Sequence, residues 1–178
     1  MSGTVFVVLF RGVGGATQLP VALLRAALTE AGFGSVETYI NSGNAVLASG
    51  SSAIETRRRI AAIVKGRFGF EKDIMLVSRA DWAGLVARNP FPEAVGEPTT
   101  LHAFVLAGAP EAAAVAALEA RATERERVVV EGRILYFHAP DGFGRSKLPP
   151  VIDRVLGVAS TARNWRTVMA LDRMAQAT

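Results

Sequence analysis

The pattern of hydrophobic and polar residues divides the first half of the chain into short apolar runs and longer amphipathic stretches. A Val- and Phe-rich run at residues 4–10 predicts a buried strand, as does a shorter run at residues 74–77. Apolar residues recur at helical spacing in residues 20–31 and 52–68, so both stretches predict helices. The second helix opens on Ser52-Ala53-Ile54-Glu55, a capping-box pattern in which serine and glutamate each satisfy a backbone N–H group.

Two further strands, at residues 36–40 and 45–48, flank the turn Asn41-Ser42-Gly43-Asn44. Glycine and asparagine accept the backbone angles of tight turns, so these four residues predict a hairpin. The element order of the first half is then strand, helix, strand, strand, helix, strand. This is the split β-α-β order of a ferredoxin-like unit.

The second half of the chain repeats most of this order. Its pattern predicts a strand, a helix, a hairpin and two final helices, with the closing strand missing or reduced to residues 158–160. We therefore predict an α+β fold with two ferredoxin-like units in tandem, the second modified and ending in C-terminal helices. The predicted elements of this half are residues 101–107, 110–122, 127–130, 133–138, 146–156 and 161–175.

The predicted domain division places the first ferredoxin-like unit at residues 1–78, a helix and linker at 79–100, and the second unit at 101–178. With 178 residues the chain has the length of one domain or of two small ones, so one compact domain is the alternative.

Composition excludes several classes of protein. Half of the residues are hydrophobic and 20% are charged, which is too apolar for a disordered chain. The chain has no cysteine, so disulfides, thiolate metal sites and cysteine nucleophiles are excluded. It has two histidines, His102 and His138, which argues against a histidine-built metal site. We expect no bound metal and no cofactor. No apolar run approaches the length of a membrane span or a signal peptide, so we expect a cytoplasmic protein without a membrane partner.

The net charge of +4 lies entirely in the last part of the sequence. Residues 1–141 hold 14 basic and 14 acidic residues, whereas residues 142–178 hold six basic and two acidic ones. A localised basic region suggests an anionic partner, such as a phosphorylated small molecule or a nucleic acid. The alternative is a solvated helical surface that is rich in arginine.

Five blocks of the sequence follow one another in the order of a known family: residues 6–15, 38–44 (Thr-Tyr-Ile-Asn-Ser-Gly-Asn), 89–91 (Asn-Pro-Phe), 145–148 (Arg-Ser-Lys-Leu) and 161–168. Together these blocks resemble the domain-of-unknown-function family DUF1697. The resemblance implies an α+β fold with ferredoxin-like organisation in a bacterial-type protein, and it supplies no assigned reaction and no catalytic residues. Pro149-Pro150 departs from the family pattern and moves the start of the following helix to a point after Lys147.

Two turns of the first half are candidate ligand sites. Arg11 and the glycines that follow it join a strand to a helix, where backbone N–H groups can hold a phosphate. Asn41, Ser42 and Asn44 supply small polar groups that could form the rim of a site. The alternative for both segments is turn chemistry, in which glycine and asparagine stabilise their own backbone.

The second half holds the best candidate site. Arg145, Ser146 and Lys147 follow a glycine-rich segment at a predicted loop-to-helix junction, where two cations, a hydroxyl and free N–H groups could bind an oxyanion. The alternative is an exposed loop with Ser146 as a helix cap. Arg163, Asn164 and Trp165 could bind a nucleobase, or Trp165 could lie in the core with Asn164 bound to the backbone.

Three classes of function remain open. The first is a module that binds a phosphorylated ligand, a nucleotide or a nucleic acid through the basic C-terminal region. The second is an enzyme acting on a nucleotide or phosphate ester, for which no general base is evident, although His138 near Asp141 could form an acid–base pair. The third is an interaction protein or homodimer without a small-molecule site. The sequence leaves the oligomeric state undetermined.

Overall fold

The computed structural model describes residues 3–41 and 43–178 and divides the chain into two compact units. The first unit comprises Met1–Val86 and Ala170–Thr178, and the second comprises Ala87–Met169. Each unit contains one four-stranded antiparallel sheet with the same connectivity. The α+β fold of two tandem units is therefore confirmed.

The sheet of the first unit has the strand order β2-β3-β1-β4, which is the ferredoxin-like arrangement. Strand β1 lies in the middle and pairs antiparallel with β3 and β4. The elements are β1 (Thr4–Phe10), α1 (Val21–Glu30), β2 (Gly34–Thr38), β3 (Asn44–Ser49), α2 (Ala53–Phe68), β4 (Ile74–Ser78) and α3 (Arg79–Ala87).

The core of the first unit follows from the alternation of side chains along β1. Phe6, Val8 and Phe10 point to the same face of the sheet, and they form one buried cluster with residues of the two helices. Leu24 of α1 and Ile60 of α2 belong to this cluster and are almost completely buried. Both helices therefore cover one face of the sheet. The Arg11 turn follows the C-terminal end of β1, and the Asn41 turn between β2 and β3 lies beside the same end.

The N-terminus of α2 contains half of the predicted capping box. Ser52 Oγ accepts a hydrogen bond from the Glu55 backbone N–H at 3.2 Å, as predicted. The Glu55 carboxylate accepts hydrogen bonds from Arg58 Nε and Nη2 at 2.9 and 2.8 Å. Both carboxylate oxygens of Glu55 thus pair with the Arg58 guanidinium, one helical turn later, and not with the backbone N–H of Ser52 as a full capping box requires.

The sheet of the second unit has the order β6-β7-β5-β8, so it repeats the arrangement of the first sheet. Short 3-10 turns lie at Pro92–Gly96, Phe143–Arg145 and Pro149–Val151. The elements are β5 (Leu101–Leu106), α4 (Ala112–Glu119), β6 (Arg127–Glu131), β7 (Ile134–His138), α5 (Ile152–Leu156), β8 (Ser160–Asn164) and α6 (Trp165–Ala177).

The prediction that the second unit lacks a full closing strand is wrong. Residues 160–164 form β8, which pairs with β5 from Leu106↔Ser160 to His102↔Asn164. Because this pairing joins segments far apart in the chain, the local pattern showed only the continuation into a helix. Helix α6 consequently begins at Trp165, four residues later than the start predicted at residue 161.

The hairpin around Asn41 also differs from its prediction. Strand β2 ends at Thr38, because Ile40 adopts a φ of +44° that no strand continues. The turn is therefore longer than the four residues predicted. It closes through Tyr39, whose backbone N–H donates to the Asn44 carbonyl at 3.0 Å.

Candidate functional site

The structure places the sequence-predicted site residues in both units. Arg11, Asn41 and Asn44 belong to the first unit, and Ser42 lies outside the described residues. The other predicted site residues belong to the second unit: Arg145, Ser146, Lys147, Arg163, Asn164 and Trp165.

In the first unit, the Arg11 turn and the Asn41 turn lie against one another at one end of the sheet. The backbone N–H of Phe10 donates to the Gly43 carbonyl at 2.9 Å. Gly43 has a φ of +76°, and a Cβ at this position would lie 2.7 Å from Val13 Cγ2. The two turns therefore approach so closely that only glycine fits between them.

Asn41 is exposed, whereas the side chains of Asn44, Arg11 and Lys72 contact nearby groups of the protein. Asn44 is fully buried and its Nδ2 donates to the Tyr39 carbonyl at 3.1 Å, which is turn chemistry. Arg11 pairs with Asp73, with 3.3 Å between Nη1 and Oδ2. Lys72 Nζ donates to the Gly12 carbonyl. The basic charge of Arg11 is thus balanced locally, which makes this end a poor anion site.

In the second unit, Arg145 and Lys147 are exposed on the segment 142–147, which we call the Phe143 loop. Neither residue takes part in any ion pair found within residues 3–41 and 43–178. The two acidic residues of the C-terminal region lie elsewhere in the chain, at Asp153 and Asp172. The cations of this loop are therefore available to an external anion.

The predicted helix start at Ser146 is wrong. Ser146 has an extended backbone, with φ −68° and ψ 143°, and its Oγ accepts a hydrogen bond from the Leu148 N–H at 3.1 Å. Pro149 and Pro150 then open a 3-10 turn, and proline has no N–H to donate. Helix α5 begins only at Ile152, so the Phe143 loop does not offer the free N–H groups of a helix start.

The Phe143 ring rests on a buried histidine. The rings of Phe143 and His102 stack with centroids 3.8 Å apart and an angle of 21° between their planes. His102 is only 8% exposed, and its Nδ1 has no hydrogen-bond partner in the described part of the chain. Burial lowers the pKa of His102 to about 4, so the imidazole is neutral at pH 7.

The register between β5 and β8 shows which of the candidate residues Arg163 and Asn164 lies on the same face of the sheet as His102. His102 lies opposite Asn164 on β8, whereas Ala103 lies opposite Arg163. Because successive residues of a strand face opposite sides of the sheet, Asn164 shares the face of His102 and Arg163 does not. The structure therefore brings Asn164 to the same face as the Phe143 loop and directs Arg163 away from it.

The side chains of Arg163 and Asn164 form hydrogen bonds within the protein, and Trp165 is buried. Arg163 Nη1 donates to Thr161 Oγ1 at 2.8 Å and to the Ala162 carbonyl at 2.7 Å. Burial lowers the pKa of Arg163 to about 10, so it stays charged at neutral pH. Asn164 Oδ1 accepts from the Thr167 N–H at 2.9 Å, and Trp165 is 2% exposed.

His138 lies in a second polar cluster on the face opposite His102. Arg127 bridges Glu93 and His138, and its Nη2 donates to His138 Nδ1 at 3.2 Å. Burial, followed by the Arg127 charge, lowers the pKa of His138. Asp141 pairs instead with Arg125 at 3.0 Å, so the suggested acid–base pair of His138 and Asp141 does not form.

Residues 3–41 and 43–178 contain no group of three or more acidic or histidine residues that could hold a metal ion. Within the same residues, no helix is long and apolar enough to cross a membrane.

A family model described as "Protein of unknown function (DUF1697)" matches residues 4–136, well over half of the chain. The chain belongs to the DUF1697 family. No curated protein matches it. The conserved bacterial protein SP0830 from Streptococcus pneumoniae has a similar solved structure, with a TM-score of 0.69 and 21% sequence identity, covering 97% of this chain and 98% of that one. At this identity the likeness concerns the fold alone.

Sequence reasoning missed the pairing of His102 with Phe143 in this DUF1697 protein. Alternation along β5 alone does not decide whether His102 faces solvent or the core, and Phe143 stands 41 positions later in a glycine-rich loop. One signal was present: His102 shares its strand face with the apolar residues Phe104 and Leu106, which favours the core.

Replacing Asn164 by alanine tests whether this residue has a structural role in the DUF1697 fold. Because its Oδ1 caps α6, we expect Asn164→Ala to lower the free energy of unfolding by about 1 kcal/mol. Urea denaturation measures the change, and Asn164→Ser, which keeps a capping oxygen, should recover most of it. An alanine variant as stable as the wild type would contradict the capping role.

Proposed function

We propose that this protein binds a phosphate-bearing ligand through Arg145 and Lys147 of the Phe143 loop. The observation that carries the proposal is the contrast between the two candidate anion sites. Arg11 of the first unit is paired with Asp73, whereas no acidic side chain within residues 3–41 and 43–178 forms an ion pair with Arg145 or Lys147. An external phosphate can therefore pair with Arg145 and Lys147 in the way that the Asp73 carboxylate pairs with Arg11.

Backbone hydrogen bonds hold the Phe143 loop in a defined turn. The N–H groups of Arg145 and Ser146 donate to the carbonyls of Gly142 and Phe143 at 3.1 and 3.2 Å. Ser146 Oγ holds the next turn through the Leu148 N–H. A preordered loop loses less conformational entropy on binding, which favours affinity.

The two cations differ in what they contribute. A guanidinium presents a planar fork that matches two phosphate oxygens, so Arg145 can orient the group. The Lys147 ammonium acts as a compact point charge. Both residues would contact only the phosphate group and not the rest of the ligand. The proposal therefore covers a phosphorylated small molecule, a nucleotide or a nucleic acid. The experiment below distinguishes these three ligand classes.

The test is the double substitution Arg145→Ala/Lys147→Ala. Hydrogen bonds to charged groups contribute about 1.5–3 kcal/mol each, so we expect the affinity for a bound phosphate to fall at least tenfold. Pyrophosphate, ATP and a single-stranded RNA oligonucleotide are titrated by calorimetry at two NaCl concentrations. If nucleic acid is the ligand, the slope of log affinity against log salt should fall by about one for each lost phosphate contact.

The matched control is Arg58→Ala/Lys65→Ala, which removes the same charge from exposed positions on α2. Both control residues are paired, with Glu55 and Glu71. This variant should bind like the wild type. Equal losses in the two double variants would mean that only net charge matters, and no binding of any probe would refute the proposal.

A further inference from the structure

Strand β6 is an edge strand, since it stands at one end of the sheet order β6-β7-β5-β8, beside β7. The two-residue turn Gly132-Arg133 joins β6 to β7. Such turns make the residues that flank them, here Glu131 and Ile134, a hydrogen-bonded pair. Hydrogen-bonded pairs recur at every second residue of an antiparallel ladder, so the backbones of Val129 and Arg127 also bond to β7.

The backbone groups of the two residues between these pairs, Val128 and Val130, point away from β7. Within residues 3–41 and 43–178, none of the backbone hydrogen bonds outside helices and strands involves either residue. Both side chains pack against the core of the second unit, which holds the strand in place. The N–H and C=O groups of Val128 and Val130 therefore form a fixed row that a further strand can pair with.

The corresponding edge strand of the first sheet, β2, is irregular instead. Its register with β3 shifts between Gly34 and Glu37, and Ser35 has a φ of +45°. Proteins protect sheet edges with irregularities of this kind, because a distorted strand cannot pair with another chain. Strand β6 keeps one register with β7 along its whole length, so it has no such protection.

The sequence of β6, Arg-Val-Val-Val-Glu, is complementary to itself when two copies run antiparallel. If Val128 lies opposite Val130 of the second copy, Arg127 lies opposite Glu131 of that copy at both ends. The outward backbone groups of Val128 and Val130 then face each other and can exchange hydrogen bonds. A parallel pairing in the same register would instead place Arg127 opposite itself, which like charges disfavour.

Arg127 and Glu131 can each take a second charged partner. Arg127 pairs with Glu93, and Glu131 pairs with Arg88 at 3.5 Å. The four side chains are 45–58% exposed, so a further charged group can reach them. A guanidinium has five N–H donors and a carboxylate has two acceptor oxygens, so one ion pair leaves room for another.

From these observations we propose that two copies of this chain form a dimer through antiparallel pairing of their β6 strands about Val129. The pairing joins two four-stranded sheets into one sheet of eight strands. Dimers with twofold symmetry use an interface that is complementary to itself, as β6 is. Because one strand pair is a small interface, the dimer dissociates on dilution. It uses no residue of the Phe143 loop and goes beyond the phosphate site proposed above.

The first test is sedimentation velocity of the whole protein from millimolar to low micromolar concentration, where the mass should fall from dimer to monomer. Arg127→Glu and Glu131→Arg each place like charges opposite one another at both ends of the strand pair. Each variant alone should therefore dimerise about tenfold more weakly than the wild type, or less still. An equal mixture of the two variants restores opposite charges at both ends, so the dimer should return.

The matched control is Arg154→Glu, which makes the same change of charge at an exposed position on α5. This variant should dimerise like the wild type. Equal weakening by Arg154→Glu and Arg127→Glu, or a mixture no stronger than the single variants, would overturn the pairing of Arg127 with Glu131.

A second measurement uses the wild type alone and covers the case in which the charge variants fail to fold. Amide hydrogen exchange at Val128 and Val130 should slow as the protein concentration rises, because the dimer bonds these N–H groups. Exchange at Val129 should stay slow throughout, since its N–H bonds to β7 in either state. A monomer at every concentration would overturn the dimer, and a dimer with fast exchange at Val128 and Val130 would overturn the β6 interface.

Discussion

Replacing Gly43 by alanine should destabilise the protein by about 2–5 kcal/mol. Two effects add: alanine is strained at the φ of +76°, and its Cβ would lie 2.7 Å from Val13 Cγ2 and 2.8 Å from Phe10 Cβ. Phe10 belongs to the core strand β1 and its Cβ is attached directly to that backbone, so this contact cannot be relieved without disturbing the sheet. Urea denaturation followed by tryptophan fluorescence measures the change.

Gly69→Ala is the matched control for this substitution. Gly69 has nearly the same φ, +78°, but no atom lies within 4 Å of the added Cβ. It should therefore show the backbone strain alone, about 1 kcal/mol. Equal losses for Gly43→Ala and Gly69→Ala would mean that the Arg11 and Asn41 turns do not approach as closely as described.

Acid should destabilise the protein through His102. The pKa of His102 is about 4 in the folded state and 6.5 in the unfolded state, so below pH 6.5 the unfolded chain binds a proton that the folded one does not. The titration of His102 therefore costs no free energy of unfolding above about pH 7, and the free energy of unfolding falls as the pH drops from 6.5 to 4. A shift of this size corresponds to about 3 kcal/mol, measured by urea denaturation across this pH range.

His102→Phe isolates this effect from the titration of the carboxylates. Phenylalanine keeps an aromatic ring against Phe143 and has neither the proton site nor the unsatisfied Nδ1. The variant should be at least as stable as the wild type at pH 7 and clearly more stable near pH 4. Parallel pH profiles for the two proteins would show that His102 is not buried as a neutral ring.

The elements of the fold were predictable where the pattern of apolar residues is local. Strand β1 and helix α2 carry complete strand and helix periods, and their bounds agree closely with the pattern. Strand β8 was not predictable in this way, because Ser160–Asn164 becomes a strand only through its pairing with β5. The positive φ of Ile40 also escaped prediction, since β-branched residues rarely adopt it.

The candidate site was predictable in its charges and not in its geometry. The concentration of basic residues after residue 141 pointed to Arg145 and Lys147, and both are exposed. Arg163 looked equivalent in the sequence, but the register of β8 turns it to the other face of the sheet. The stack of Phe143 on His102 depends on the path of a glycine-rich loop, which no residue pattern specifies.

The most direct test of the phosphate site is an amide ¹H–¹⁵N NMR titration of the whole protein with pyrophosphate at low salt. We expect saturable shifts of the amides of residues 143–148, described by one dissociation constant, and unshifted amides in residues 11–15 of the first unit. Shifts centred on the Arg11 turn, or none that saturate, would contradict the assignment of phosphate binding to the Phe143 loop.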